Sequence, residues 1–292
     1  MNRTLLGILC GLGAAAIWGG MYVVSKVVLE IIPPFALVSI RLLLGALTLL
    51  IVLLLRGVPN IPRKQVLHIL GVGFVGYGIS LSLQFLGTKM STAANGSLVT
   101  SATPAFVLIF AALLLKERIT PLRLTSLVLA TLGVIAVIDP RSAQLNPELF
   151  LGNLSLIGAA ITWALYSVLV RKATQSLDVL PFSLIAFLGG LPVTVPMSAW
   201  ELTTIGISEI TIGVIGGILF LGVISTALAM VLWNTAFAFV DASLASLTFF
   251  AQPVVGILLG WLFLGERITP LFLVGGFLIG LGLIIASREP SA

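Results

Sequence analysis

Each half of this 292-residue chain carries a tryptophan–tyrosine pair, Trp18 with Tyr22 and Trp163 with Tyr166. Within each pair the rings lie about one helical turn apart inside an apolar run, so they would share a face. A third run adds Gly73, Tyr77, Ser80 and Gln84 at i, i+4, i+7 and i+11, again one face of a regular helix. Asn95, Thr100 and Thr103 lead up to Pro104, Gln252 precedes Pro253, and Trp233 is the repeat counterpart of Gln84. These residue types stack on, surround and orient a guest. None forms a nucleophile–base pair, and no His, Asp, Glu or Ser–Lys cluster falls at membrane depth to support an intramembrane enzyme. The chemistry on offer is binding, in a neutral, aromatic cavity with hydroxyl and amide groups for orientation.

Each candidate also has a plainer use. Tryptophan and tyrosine often anchor a helix at the membrane surface, but Trp18 and Trp163 fall inside their runs, which favours a cavity. Asn95 stands near a helix start and could cap it, and Gln84 and Gln252 could simply bond one helix to another. Arg41 is the one clear charge inside a run, and at mid-bilayer it would cost about 2.5–3.5 kcal/mol. Counted from Pro34 it lies only about 10 Å deep, so it could snorkel to the surface, or it could meet a substrate carboxylate. Pro104 and Pro253 fall in the middle of their runs. There a proline removes a helical hydrogen bond, giving a structural kink or a point of bending during gating.

The elements that position these residues are membrane helices. Hydrophobic residues make up 59% of the chain and charged ones 9%, with mean hydropathy +1.22, which excludes a soluble domain. The basic pI of about 9.8 comes from residues scattered over short loops, so nucleic acid is not an expected partner. Cys10 and His68 are each alone of their kind, so no disulfide within the chain, metal site or cofactor is expected. Charges and Pro, Gly and Asn clusters divide the chain into spans at 4–28, 34–55, 66–86, 93–115, 122–138, 149–170, 180–199, 211–234, 242–264 and 271–286. The first is too long for a signal peptide core and reads as a retained span. With the N-terminus inside, ten Lys and Arg fall on the cytoplasmic side and only Lys26, Lys89, Arg141 and Arg267 outside. That asymmetry places both termini in the cytoplasm of a cell-membrane protein. No predicted span has an Asp or Glu in its interior. Transport driven by the substrate's own gradient is therefore simpler than a proton relay.

The pentapeptide Glu117-Arg118-Ile119-Thr120-Pro121 returns unchanged as Glu266-Arg267-Ile268-Thr269-Pro270. In that register Pro104 falls on Pro253, Leu113 on Leu262, and Gly133 on Gly282, while a nearby register sets Trp18 on Trp163. The chain is an internal duplication, 1–141 and 142–292. Five spans per half is an odd number, so the second half enters the membrane inverted, and a site is expected between the halves near mid-depth. The pentapeptide itself reads as a hairpin hinge, with the threonine as N-cap, the proline at the first helical position and the charges at the water boundary.

The stretches Ala102-Thr103-Pro104 through Lys116-Glu117-Arg118 and Ala251-Gln252-Pro253 through Gly265-Glu266-Arg267 resemble the EamA family of the drug/metabolite transporter superfamily. The resemblance covers essentially the whole chain. It implies an all-α integral membrane protein of two inverted five-helix repeats that alternates access to a central cavity. Relatives include exporters of amino acids and other small metabolites, among them aromatic amino acid exporters of the YddG type. The expected partners are a small-molecule substrate and the lipid bilayer, and one chain holds a complete pathway. An exporter of nucleotide sugars, phosphorylated metabolites or drugs is the alternative within transport, though a single Arg is few for a phosphate. A receptor or scaffold without transport is the alternative outside it.

Overall fold

Proline and threonine mark where helices begin. The computed structural model describes residues 3–91, 99–138, 149–264 and 270–288, and these residues form helices and short connections. In order they are α1 (Arg3–Leu29), α2 (Pro34–Arg56), α3 (Arg63–Met90), α4 (Thr103–Leu115) and α5 (Pro121–Ile138), then α6 (Phe150–Ala173), α7 (Val179–Thr204) and α8 (Ile212–Phe239). The ninth, α9, runs as Ala242–Leu247, a 3₁₀ turn at Thr248–Phe250, and Ala251–Leu264, and α10 is Pro270–Ser287. Six of them (α1, α2, α3, α6, α7 and α8) are long and apolar enough to cross a membrane. Pro34 and Pro121 open their helices, where a missing N–H costs nothing. The Thr120 hydroxyl accepts from the Arg123 amide at 3.2 Å, the expected cap, while its repeat at Thr269 lies outside the described residues.

The helices pair across the duplication. α1 lies along α8 and α9, and α6 lies along α3 and α4. α2 packs on α7 and α8, α7 packs on α2 and α3, and α5 packs on α10. Exchanging the first five helices with the second five turns this set of contacts into itself, as a pseudo-two-fold axis between inverted repeats requires. The exchange holds residue by residue. A Cβ on Gly45 would come within 2.9 Å of Thr226, beside Phe187, and one on Gly190 within 2.8 Å of Tyr77, beside Leu42. In lipid the apolar effect does not hold helices together, so close approach of this kind and interhelical hydrogen bonds do that work. Leu47, Leu54, Leu113 and Phe277 face outward, giving the bundle an apolar surface suited to lipid.

Both mid-run prolines follow an interruption instead of bending an unbroken helix. Ser101 and Ala102 form a turn before α4, with the Ala105 amide bonded to Ala102 O at 3.1 Å, and the 3₁₀ turn precedes Pro253. Each proline thus sits in the first turn of a resumed helix, which is why it is tolerated there.

Two acidic residues that lie outside the predicted spans, Glu201 and Glu117, are engaged in the fold. Helix α7 continues past 199 to Thr204 and buries Glu201, whose carboxylate accepts from the amides of Phe35 at 2.8 Å and Ala36 at 3.1 Å. The start of α2 has no side-chain cap of its own, so a carboxylate from another helix supplies one at the positive end of its dipole. Glu117 likewise accepts from the amides of Ala242 and Ser243, at 2.8 and 3.2 Å, and from the Ser243 hydroxyl at 2.6 Å. Arg123 bridges Glu117 at 3.2 Å and Asp241 at 2.6 Å, and Arg171 approaches Asp241 at 3.7 Å. This cluster ties the α4–α5 hairpin of one repeat to the α8–α9 connection of the other. Replacing Glu117 by Ala leaves two amides and the Ser243 hydroxyl without that acceptor, removes one of the two carboxylates Arg123 bridges, and is expected to cost about 3 kcal/mol. Glu117→Gln is expected to cost less. Thermal unfolding of the purified chain in detergent checks the order.

Candidate functional site

Between the repeats lies a narrow cavity lined by Trp18 and Met21 of α1, Arg41 of α2, Ser80, Leu81 and Gln84 of α3, Thr100, Thr103 of α4, Ala159, Ala160 and Trp163 of α6, Met230 of α8, and Phe249 and Gln252 of α9. As packed, it has room for only about two waters, so a larger guest requires the helices to part. Eight of the residues singled out from sequence meet here: Trp18, Arg41, Ser80, Gln84, Thr100, Thr103, Trp163 and Gln252.

The two repeat-related tryptophans, Trp18 and Trp163, face one another edge to face with ring centroids 5.8 Å apart. Trp18 also donates its indole N–H to Ser225 O at 3.0 Å, binding α1 to α8. Ser80 donates to Ala159 O at 2.8 Å. The indole nitrogen of Trp163 and Oε1 of Gln252 are buried and have no protein partner.

Tyr77, Tyr166 and Trp233 stand behind this wall instead of in it. Their rings support the lining: Tyr77 lies 6.2 Å and Tyr166 4.8 Å from Trp163, and Trp233 lies 5.3 Å from Trp18. The cause for Tyr77 is local. Residues Phe74–Ser80 form a π-helical stretch, whose wider turn breaks the i, i+4, i+7 face assumed for a regular helix and turns Tyr77 away from Ser80 and Gln84. Tyr77 instead shares a short hydroxyl–hydroxyl bond with Tyr166. Tyr166 donates to Asn234 Oδ1 at 2.9 Å, and the Asn234 amide donates to Ser183 at 2.9 Å. Trp233 donates to Ser167 at 3.1 Å. The side chain of Tyr22 and all of Asn95 lie outside the described residues.

Arg41 is fully buried, so it does not snorkel. Its Nε donates to Thr226 at 3.1 Å, and one terminal nitrogen approaches Ser225 Oγ at 3.3 Å and Met21 Sδ at 3.5 Å. The Phe85 ring lies 4.8 Å from the guanidinium carbon. Ser225 and Thr226 come from a second π-helical stretch, Phe220–Leu228, the repeat counterpart of the one that carries Tyr77. Sequence reasoning passed over Met21, Met230 and Phe249, whose side chains carry no distinguishing chemistry. Met21 was within reach, since the repeat register sets it on Tyr166.

Among the described residues, ten helices in exchange-related pairs around a central cavity define a multi-pass membrane protein built from inverted repeats. The chain belongs to the EamA-like transporter family, whose model matches residues 5–138 and again 150–288. It is similar to the uncharacterized transporter YoaV of Bacillus subtilis (strain 168), 24% identical over 292 residues that cover 98% of this chain and 97% of that one. An uncharacterized transporter of Archaeoglobus fulgidus is 28% identical over 273 residues, 93% of this chain and 95% of its own. A crystal structure at 22% identity shares the fold, with a TM-score of 0.79 over 96% of both chains.

The hydroxyl of Tyr166 is the hub of the buried chain, since it bonds both Tyr77 and Asn234. Tyr166→Phe is therefore expected to destabilise the protein by about 1–3 kcal/mol, and Tyr77→Phe by about 1 kcal/mol. Thermal unfolding of the two variants in the same detergent tests that order.

Proposed function

We propose that this chain is a secondary transporter that exports small metabolites, foremost amino acids with aromatic or bulky apolar side chains, across the cell membrane. The observation that carries the reading is the cavity wall between the repeats: Trp18, Trp163 and Phe249 supply ring faces and edges, and Thr103, Gln84 and Gln252 supply orienting groups. Aromatic surfaces of this kind give a guest large contact area at little cost in side-chain entropy.

The two repeats, 1–141 and 142–292, would rock about the cavity to open it alternately to each side. The interruptions before Pro104 and Pro253 are places where helices could bend without losing an intact hydrogen-bond ladder. With both termini in the cytoplasm, the Glu117–Arg123–Asp241–Arg171 cluster lies on the cytoplasmic face and fastens it in this conformation. The buried Glu201 is occupied by backbone amides and is not part of the cavity wall. A downhill mechanism without proton coupling fits this arrangement.

Uptake of labelled amino acids into liposomes containing the purified protein tests the proposal. Saturable uptake of phenylalanine or tryptophan is expected, unchanged by an imposed pH gradient and reduced at least about tenfold by Trp163→Ala with Tyr77→Ala, a loss of 1.4 kcal/mol or more. Absence of uptake for every amino acid would refute the substrate class. Uptake that requires the gradient would refute the uncoupled mechanism.

A further inference from the structure

Arg41 is a buried cation whose contacts are all neutral. Thr226, Ser225, Met21 and the face of Phe85 surround it, and among the described residues no carboxylate pairs with it. Its Nη1 has no partner, although the residue is completely buried and lines the cavity. A guanidinium presents five donors in a rigid fork that matches a carboxylate, and burying it without a counter-charge is costly. The charge has no twin, because the repeat register sets Ala186 at the corresponding place in α7. Nor, among the described residues, does the rest of the cavity wall supply an anion. The other wall groups there that are buried without a partner are the Trp163 indole donor and a neutral acceptor, Gln252 Oε1.

Resting on the reading that this cavity is the transport site, we propose that the cargo is held by a carboxylate paired with Arg41. The class of ligand the cavity takes is then a monocarboxylate with an apolar or aromatic body. The α-amino group of an amino acid is secondary, since the described wall offers it only neutral oxygens. Arylalkanoic acids without an amine bind the same site, and amines without a carboxylate do not.

Three compounds that share one ring separate the groups: phenylalanine, 3-phenylpropionate and phenethylamine. Binding is read by thermal stabilisation of the purified full chain in detergent, and competition by inhibition of phenylalanine uptake in liposomes. Phenylpropionate is expected to stabilise the protein and compete with phenylalanine, and phenethylamine to do neither. Arg41→Gln is expected to weaken phenylpropionate binding at least about tenfold, the worth of one charge-assisted hydrogen bond, while Arg41→Lys retains part of it. Arg41→Lys also guards against misreading a folding defect, because it keeps the charge. Phenethylamine acting as well as phenylpropionate on the wild-type protein would overturn the proposal, as would unchanged phenylpropionate binding in a folded Arg41→Gln variant. Stabilisation by phenylpropionate that depends on Arg41, with no uptake of any amino acid, would uphold the carboxylate site and refute the transport reading above.

Discussion

Lipid offers no hydrogen bonds, and the rest of the structure follows from that one fact. Every polar group at membrane depth must find its partner inside the protein. Here the partners are found between helices of different repeats: Trp18 on Ser225, Ser80 on Ala159, Tyr166 on Tyr77, and Arg41 on Thr226. The polar side chains gather at the seam between the halves while leucine and phenylalanine cover the outside. The same requirement that holds the bundle together therefore concentrates its binding groups at the centre. Even the helix ends obey it, since the bare amides at the start of α2 and α9 are met by carboxylates from elsewhere in the chain, Glu201 and Glu117.

Symmetry supplies the frame and its breakage supplies the chemistry. Two π-helical stretches hold equivalent places in α3 and α8, but their contents differ. One carries Tyr77, which joins a neutral chain through Tyr166 and Asn234 to Ser183. The other carries Ser225 and Thr226, which receive the guanidinium of Arg41. In the repeat register, Met21 and Phe85 beside Arg41 correspond to Tyr166 and Asn234 beside Tyr77. The fold thus builds the same chamber twice, fills one with tyrosines and an amide, and leaves the other to a cation. A perfectly symmetric carrier would present the same environment to both ends of its guest, whereas this one presents two different ends.

Much of this was legible in the amino acids, for local reasons. Span positions follow from apolar length and from the prolines, glycines and charges between them, and the described helices lie close to those positions. The unchanged pentapeptide betrayed the duplication, and an odd number of spans per half implied the inversion. Trp18, Trp163, Ser80, Gln84 and Gln252 could be placed near the centre because polar or amphipathic residues at depth have few other places to go. What escaped was non-local or depended on helix pitch. Tyr77 left the cavity wall through one widened turn that no periodicity announces. Glu201 belonged to a helix that ran one turn further than its apolar pattern. Asp241 met Arg123 across 118 positions, a separation that sequence reading has no means to pair.

The exchange-paired packing also governs how such a protein is made. Trp18 bonds to Ser225, 207 positions later in the chain. During synthesis α1 would therefore reside in the membrane with its natural contacts missing until α8 and α9 emerge. Neither half can finish itself, because each first helix is completed by the third and fourth helices of the opposite repeat. A gene encoding one half alone would need a second copy inserted the other way up, in the same membrane, before either could close. Fusing the two halves into one reading frame removes that coincidence, since every molecule then carries its own inverted partner.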